Sequence, residues 1–237
     1  VKYNILHKYA ILKMEKRHEI RYMDEITLKQ GEYYYHIKAN KENIIRLGVD
    51  IVEFNEEIVK KRLKNDVFTI ISVSRISFPF KAYLKALVKE VEDRNFHNKR
   101  TKLIIIGYGE NEDELKKIIN SMKCSKNYIE YMGKCDYKQV LNVFAQANLN
   151  IGMGTTVLDA ASTGLPTLIA FAYSNEAKSL GFFSEENNSV GQPYTKTEKE
   201  ITFNEGINRV FNMTAKEYME FSIKTYETLS KHYDQDE

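Results

Sequence analysis

From residue 67 onward, short apolar runs alternate with segments whose apolar residues recur every three or four positions. Residues 67–73 and 102–106 are short, β-branched and apolar, which predicts buried strands. Residues 128–132, 148–152 and 165–171 read as three further strands. Between them, residues 81–92 place Leu84, Leu87, Val88 and Val91 on one helical face. Leu115, Ile118, Ile119 and Met122 stripe the next helix. Asp136 and Gln139 form a capping box opening a third, with Val140, Leu141, Phe144 and Ala147 inward. Residues 155–163 read as a fourth helix. Strands and helices alternating at this spacing predict an α/β fold with a doubly wound parallel sheet covered on both faces. Such sheets bind ligands at the carboxyl ends of their strands, near the point where strand order reverses.

The flanks are patterned differently. Residues 1–16 are read as an amphipathic helix, and residues 20–28 with 33–39 as a hairpin turning at Gln30-Gly31. At the other end, residues 198–233 read as two polar helices with Val210, Phe211, Met219, Ile223 and Leu229 in their buried stripes. This divides the chain into an N-terminal segment 1–42, a linker 43–66, the α/β unit 67–197 and C-terminal helices 198–237.

Composition narrows the classes. The 237 residues carry 35 basic and 33 acidic side chains, a net +2, which argues against a nucleic-acid partner. The two cysteines, Cys124 and Cys135, have no ligand-like spacing with each other or with His7, His18, His36, His97 or His232, so no metal site is expected. Tyr33–Tyr35 suit a strand or an interface better than a base-stacking platform. No apolar run approaches ~18 residues, and the chain shows no signal-peptide pattern, so a cytoplasmic location, with peripheral contact at the inner membrane face, is expected. The opening at Val1 is read as that of a fragment.

The chemistry concentrates in Gly152-Met-Gly-Thr-Thr-Val-Leu-Asp159, followed by Gly164-Leu-Pro166. A strand runs into a Gly-x-Gly turn and then a helix. The N–H groups of Gly154, Thr155 and Thr156 lie at that helix's positive end without intrahelical partners, which makes an anion site. Asp159, one turn further, can accept hydrogen bonds from ribose hydroxyls. On pattern alone the glycines could equally well just turn the chain, and Asp159 could be a solvated charge. After the first strand, Val73-Ser-Arg75-Ile-Ser-Phe-Pro-Phe-Lys81 brings two cations to a strand's carboxyl end, where they suit phosphate.

These stretches resemble the retaining GT-B glycosyltransferases of family 4, the group 1 glycosyltransferases. The 152–166 segment is similar to their loop and helix ending in Glu-Ala-x-Ala-x-Gly-x-Pro, with Asp159 at the ribose-holding glutamate and Gly154–Thr156 at the diphosphate-holding helix end. Residues 73–81 resemble the Gly-Arg-Leu…Lys-Gly segment, which implies a pyrophosphate clamp by Arg75 and Lys81. Gly107-Tyr-Gly109-Glu110 resembles a Gly-x-Gly-Pro turn near the donor, and Tyr131-Met-Gly133-Lys-Cys135 a Phe-Leu-Gly turn whose backbone at Cys135 meets the base. Gly48-Val-Asp50…Phe54 resembles the segment joining the two GT-B domains. Four positions depart: Asp159 is a methylene shorter than glutamate, Ile151 stands where a second glutamate is usual, Ala82 stands where a glycine is usual after Lys81, and Leu47 replaces an asparagine. The Gly152-Met-Gly-Thr-Thr156 form of the loop leaves sugar selection and the retaining outcome open.

The resemblance covers roughly residues 44–180. It implies the C-terminal half of a GT-B fold, a Rossmann-like sheet with a helical C-terminal extension. The donor would be a UDP- or GDP-linked sugar, with no cofactor and no required metal. The acceptor, a saccharide or lipid-linked group, would face it from an N-terminal domain of which residues 1–42 are a remnant, so this chain alone would transfer nothing. The variant form of the 152–156 loop suggests bacterial surface polysaccharide or glycolipid synthesis. A GT-B-fold sugar-nucleotide epimerase and a non-catalytic nucleotide-sugar-binding subunit are the alternatives.

Overall fold

The computed structural model describes residues 5–49, 51, 53–185, 190 and 200–234. Nine α-helices and seven strands are defined there. The α/β unit runs β1 (Phe68–Val73), α4 (Tyr83–Phe96), β2 (Thr101–Ile106), α5 (Glu112–Ser121), β3 (Ile129–Gly133), α6 (Tyr137–Phe144), β4 (Leu149–Gly152), α7 (Thr155–Ser162) and β5 (Thr167–Ala170). It is preceded by α1 (Ile5–Lys16), α2 (Glu25–Tyr35) and α3 (Glu56–Arg62), and followed by β6 (Lys178–Phe182), β7 (Ile201–Thr202), α8 (Phe203–Phe211) and α9 (Ala215–Tyr233).

The sheet order is β3-β2-β1-β4-β5-β6-β7, parallel from β3 to β5. The expected wholly parallel sheet is corrected at one edge: β6 and β7 are antiparallel to their neighbours. Each strand residue faces the layer opposite to its neighbour's. Ile70, Leu103 and Ile105 point into the core shared with α4, α5, α8 and the start of α9, whereas Ile71, Ile104 and Ile106 face Val140 and Phe144 of α6 and Ala160 of α7. The sheet is therefore covered on both faces, as a doubly wound fold requires.

Local caps explain much of the helix placement. The Asp136–Gln139 capping box opens α6 as expected, and Thr214 with Glu217 opens α9 in the same way. The two C-terminal helices form, but α9 buries Tyr218, Phe221, Ser222, Thr225, Leu229 and Tyr233, while Phe211 is exposed and Met219 and Ile223 are only half-buried. The long α9 begins under one face of the sheet at Tyr218 and ends with Leu229 and Tyr233 in the cluster formed by α7.

The N-terminal segment departs from expectation. The hairpin is replaced by α2, because Asp24 accepts from the Thr27 N–H at 2.7 Å while the Thr27 hydroxyl receives the Asp24 N–H at 3.1 Å. That reciprocal cap starts a helix where tyrosines and isoleucines favoured strands. Gly31 lies inside α2 rather than in a turn, and a Cβ there would stand 2.8 Å from the Tyr22 ring. Helix α1 forms, but its apolar Ile5, Leu6, Tyr9 and Met14 are exposed and its one buried residue is Glu15. The Glu15 carboxylate accepts from the Tyr22 hydroxyl at 3.0 Å and from the Asn43 amide at 2.7 Å, which joins α1 to the chain after α2. The linker motif's Asp50 lies outside the described residues.

Candidate functional site

Strands β1 and β4 are neighbours whose connections leave in opposite directions, so the order reverses between them. At their carboxyl ends a cavity of about 420 Å³ opens. Its walls come from four consecutive strand ends: Ser74 and Arg75 after β1, Gly107 and Tyr108 after β2, Lys134 and Cys135 after β3, and Thr156 at the start of α7. Four of the candidate residues, Arg75, Gly107, Cys135 and Thr156, thus share one cavity, while Lys81, Gly109, Gly154, Thr155 and Asp159 lie outside its lining.

The Gly107-Tyr-Gly109 turn is shaped by the neighbouring loop. Pairing between β1 and β2 continues past the strands, with the Ser74 N–H on the Ile106 carbonyl at 2.9 Å and the Ile76 N–H on the Tyr108 carbonyl at 3.0 Å. A Cβ at Gly107, where φ is +145°, would fall 1.8 Å from the Ser74 carbonyl oxygen, and one at Gly109 would fall 2.3 Å from that of Ile76. Only glycine permits two loops to run this close.

The cations differ in setting. Arg75 is largely exposed and reaches Glu110 at 3.4 Å. The Ser77 hydroxyl donates to the same Glu110 carboxylate at 2.5 Å, and this bond, with Arg75 adding, holds the carboxyl below its usual range. Lys81 is half-buried just ahead of α4, and desolvation pushes its ammonium down to about 8. Its Nζ lies 4.8 Å from the Phe80 ring centroid, and no ion pair among the described residues includes it. Lys134 sits 5.3 Å from the Tyr108 ring centroid at the cavity rim.

At the start of α7 the Gly154 N–H donates to the Val190 carbonyl. The N–H groups of Thr155 and Thr156 have no protein acceptor among the described residues and keep the helix end open to an anion. Asp159 is half-buried. Burial pushes its carboxyl above the usual range, and the Tyr137 hydroxyl, donating to Oδ1 at 3.3 Å, draws it part of the way back. Below Gly152 the wholly buried Asn150 has both amide atoms without a partner among the described residues.

Ser77, Glu110, Lys134, Tyr137 and Asn150 were not singled out from the sequence. Glu110 directly follows the Gly-x-Gly turn and Tyr137 follows the Asp136 cap, but their partners are set by loop packing, which no local pattern encodes. Among the described residues no group of three His, Cys, Asp or Glu side chains comes together as a metal site. Nor is any helix among them long and apolar enough to cross a membrane.

Comparison with known proteins places this architecture. The solved structure of a mutant of Staphylococcus aureus TarM, in complex with fondaparinux, α-GlcNAc-glycerol and UDP, superposes with a TM-score of 0.64 at 13% identity, covering 100% of this chain and 46% of that one. A glycosyltransferase from Rickettsia africae gives a TM-score of 0.64 at 14% identity, over 100% and 65% of the two chains. Anabaena Alr3699/HepE, in complex with UDP and glucose, gives 0.60 at 14%, over 98% and 64%. At such identities the likeness establishes the fold, the C-terminal half of a GT-B architecture. The curated alpha-monoglucosyldiacylglycerol synthase of Acholeplasma laidlawii is 30% identical over 147 residues, 55% of this chain and 35% of that protein. The chain therefore spans about a third of that relative's length and about half to two thirds of the structures'. The model of the family described as glycosyl transferases group 1 matches residues 53–188, more than half of the chain and all of the cavity's lining, and the chain belongs to that family.

Proposed function

We propose that this chain holds the nucleoside diphosphate of a sugar donor across the β1–β4 switch point, and that the whole protein transfers the sugar to a saccharide or lipid-linked acceptor in bacterial surface polysaccharide or glycolipid synthesis. The observation that carries the reading is the cavity at that switch point, walled by four strand ends and bordered by an open helix end. The base enters between the Cys135 and Gly107 turns, and the phosphates lie towards Thr155 and Thr156. Asp159 takes the ribose. Arg75 and the desolvated Lys81 meet the charge that grows on the leaving diphosphate, a role in which preorganised positive groups act without reorganisation. With that charge met by two cations and a helix end, the transfer requires no metal.

Two similar structures hold UDP, which makes it the first nucleotide to test. The acceptor half of the site belongs to the part of the fold that this chain does not span, so the chain binds donor without turnover. Thermal unfolding against UDP, GDP, ADP and CMP tests the reading. A ligand at ~100 times its dissociation constant stabilises by about 2.7 kcal/mol, a readable shift. No shift with any nucleoside diphosphate would refute it.

A further inference from the structure

We infer that Asn150 helps to hold the nucleotide's phosphates: its buried amide anchors a water in the gap between Gly152 and Thr156, and that water donates to a phosphate oxygen at the open end of α7. The inference rests on the nucleotide-binding reading above and assigns that site a residue which the sequence motifs do not contain.

Along β4, Leu149 and Ile151 point into the core shared with α4, so Asn150 and Gly152 point the other way, towards α6 and α7. Asn150 is in register with Ile71 of β1, and Val73, two residues further along β1, lines the cavity. The asparagine therefore lies below the cavity floor by about 6.6 Å of strand. The layer on this side of the sheet is apolar, with Ile71, Ile106, Val140 and Ala160 among its members. The Asn150 amide is wholly buried, and neither Nδ2 nor Oδ1 has a partner among the described residues. Two orphaned polar atoms cost stability in the free chain. A cost of that kind, kept where an aliphatic side chain would pack, points to a functional position.

The amide is aimed at the cavity's edge. A Cβ on Gly152 would meet Thr156 Oγ1 at 3.4 Å, Asn150 Nδ2 at 3.5 Å and Asn150 Oδ1 at 3.7 Å. The glycine thus leaves a gap that three polar atoms surround, and one of the residues around it, Thr156, lines the cavity. Three polar neighbours suffice to hold a buried water. The Thr156 hydroxyl donates to the Met153 carbonyl at 3.3 Å, so its oxygen is an acceptor towards the gap. A water there accepts from Nδ2 and donates one hydrogen to Thr156 Oγ1. Its other hydrogen goes to a phosphate oxygen beside the Thr155 and Thr156 N–H groups. The helix end supplies the backbone donors, and Asn150 adds one more through the water.

The test pairs calorimetric titration of the 237-residue chain with UDP and GDP and chemical denaturation of the same variants. Asn150→Leu keeps the number of side-chain heavy atoms and removes both orphaned polar groups. It is expected not to lower the denaturation midpoint, yet to weaken the nucleotide that wild type binds by about tenfold. Asn150→Ala carries the same expectation for affinity and reads it even where leucine overfills the layer. Gly152→Ala places a methyl at ordinary contact distances from all three polar atoms, so the chain folds while the gap is closed. Its loss of affinity is expected to match that of Asn150→Leu, and the double variant to bind no more weakly than either single one. A structural asparagine would give the reverse, a lower midpoint in both Asn150 variants with unchanged affinity, and that result would overturn the inference while leaving the proposed function standing. Additive losses in the double variant would overturn it too, because Asn150 and Gly152 would then act separately. No nucleoside diphosphate binding at all by wild type would fail the proposed function, and the inference with it.

Discussion

A Cβ at Gly164 would stand 2.6 Å from Cε2 of Phe54, so the turn that ends α7 is open only to glycine as long as the linker's phenylalanine occupies that place. Gly164 also has φ +64°, and the Phe54 ring packs on Tyr226 of α9 at 5.2 Å between centroids. Two motif residues far apart in the chain are thus one packing couple, which seats the linker against the far end of the helix whose near end faces the cavity. Gly164→Ala is expected to cost about 2 kcal/mol or more, from the left-handed backbone and the ring contact together. Chemical denaturation measures it. If the ring contact matters, Phe54→Ala and Gly164→Ala will be non-additive in a double-mutant cycle.

Arg75→Ala should spare stability, since Arg75 is mostly exposed and its ion pair with Glu110 is long at 3.4 Å. Donor binding should weaken, by roughly 1.5–3 kcal/mol for a charged hydrogen bond. Calorimetry against UDP and denaturation of the same variant separate the two effects. Unchanged affinity would remove Arg75 from the site.

Lys81 makes donor binding depend on pH in a defined direction. Its ammonium titrates near 8 in the free chain, and a bound diphosphate favours the charged form, which raises that value. The Lys81 contribution to affinity is therefore complete below about pH 8 and declines above it, as pH climbs towards the raised value of the complex. Binding at about pH 8.5 should take up protons, seen as a dependence of the calorimetric heat on the buffer's ionisation enthalpy. Lys81→Met should abolish that dependence. Stability carries the opposite sign: the folded chain holds its proton less tightly than the unfolded one, so the cost of the buried charge falls as pH rises above about 8.

Arg62 offers a test of the scaffold behind the site. It is wholly buried, donates to the Thr163 carbonyl at 3.0 Å and hydroxyl at 2.9 Å, and faces no carboxylate in any ion pair of the described residues. Desolvation lowers its guanidinium, and two of its nitrogens have no partner among those residues. Arg62→Ala leaves a cavity and is expected to cost more than Arg62→Met, by about 2 kcal/mol, because methionine keeps volume and removes the buried charge. Equal costs in denaturant would mean that the guanidinium's bonds to Thr163, not its bulk, hold α3 in place.

What the sequence determined by itself is what local rules encode. Ile70–Ile71 and Leu103–Ile106 alternate between faces within a few residues, and the Asp136–Gln139 cap is complete within four, so β1 to β5 and the helices between them could be read in order. The Arg75, Gly107, Cys135 and Thr156 positions could be read too, because each follows a strand and parallel strands all end on one side. Tertiary structure decided the rest. Residues 20–39 carried strand-like side chains, but the cap at Asp24 and the fit of Gly31 against Tyr22 made α2, and Glu15 went inside because Tyr22 and Asn43 met it there. Strand β7 is two residues long and β6, Lys-Ser-Leu-Gly-Phe, carries no β-branched residue, so neither announces itself; β6 exists through pairing with β5, and β7 through pairing with β6. The Arg75–Glu110–Ser77 cluster and the Tyr137–Asp159 bond join loops and helices from different βα units. Periodicity and capping act over a few residues and are written in the chain, whereas contacts between loops depend on strand order, which is settled only when the whole sheet assembles.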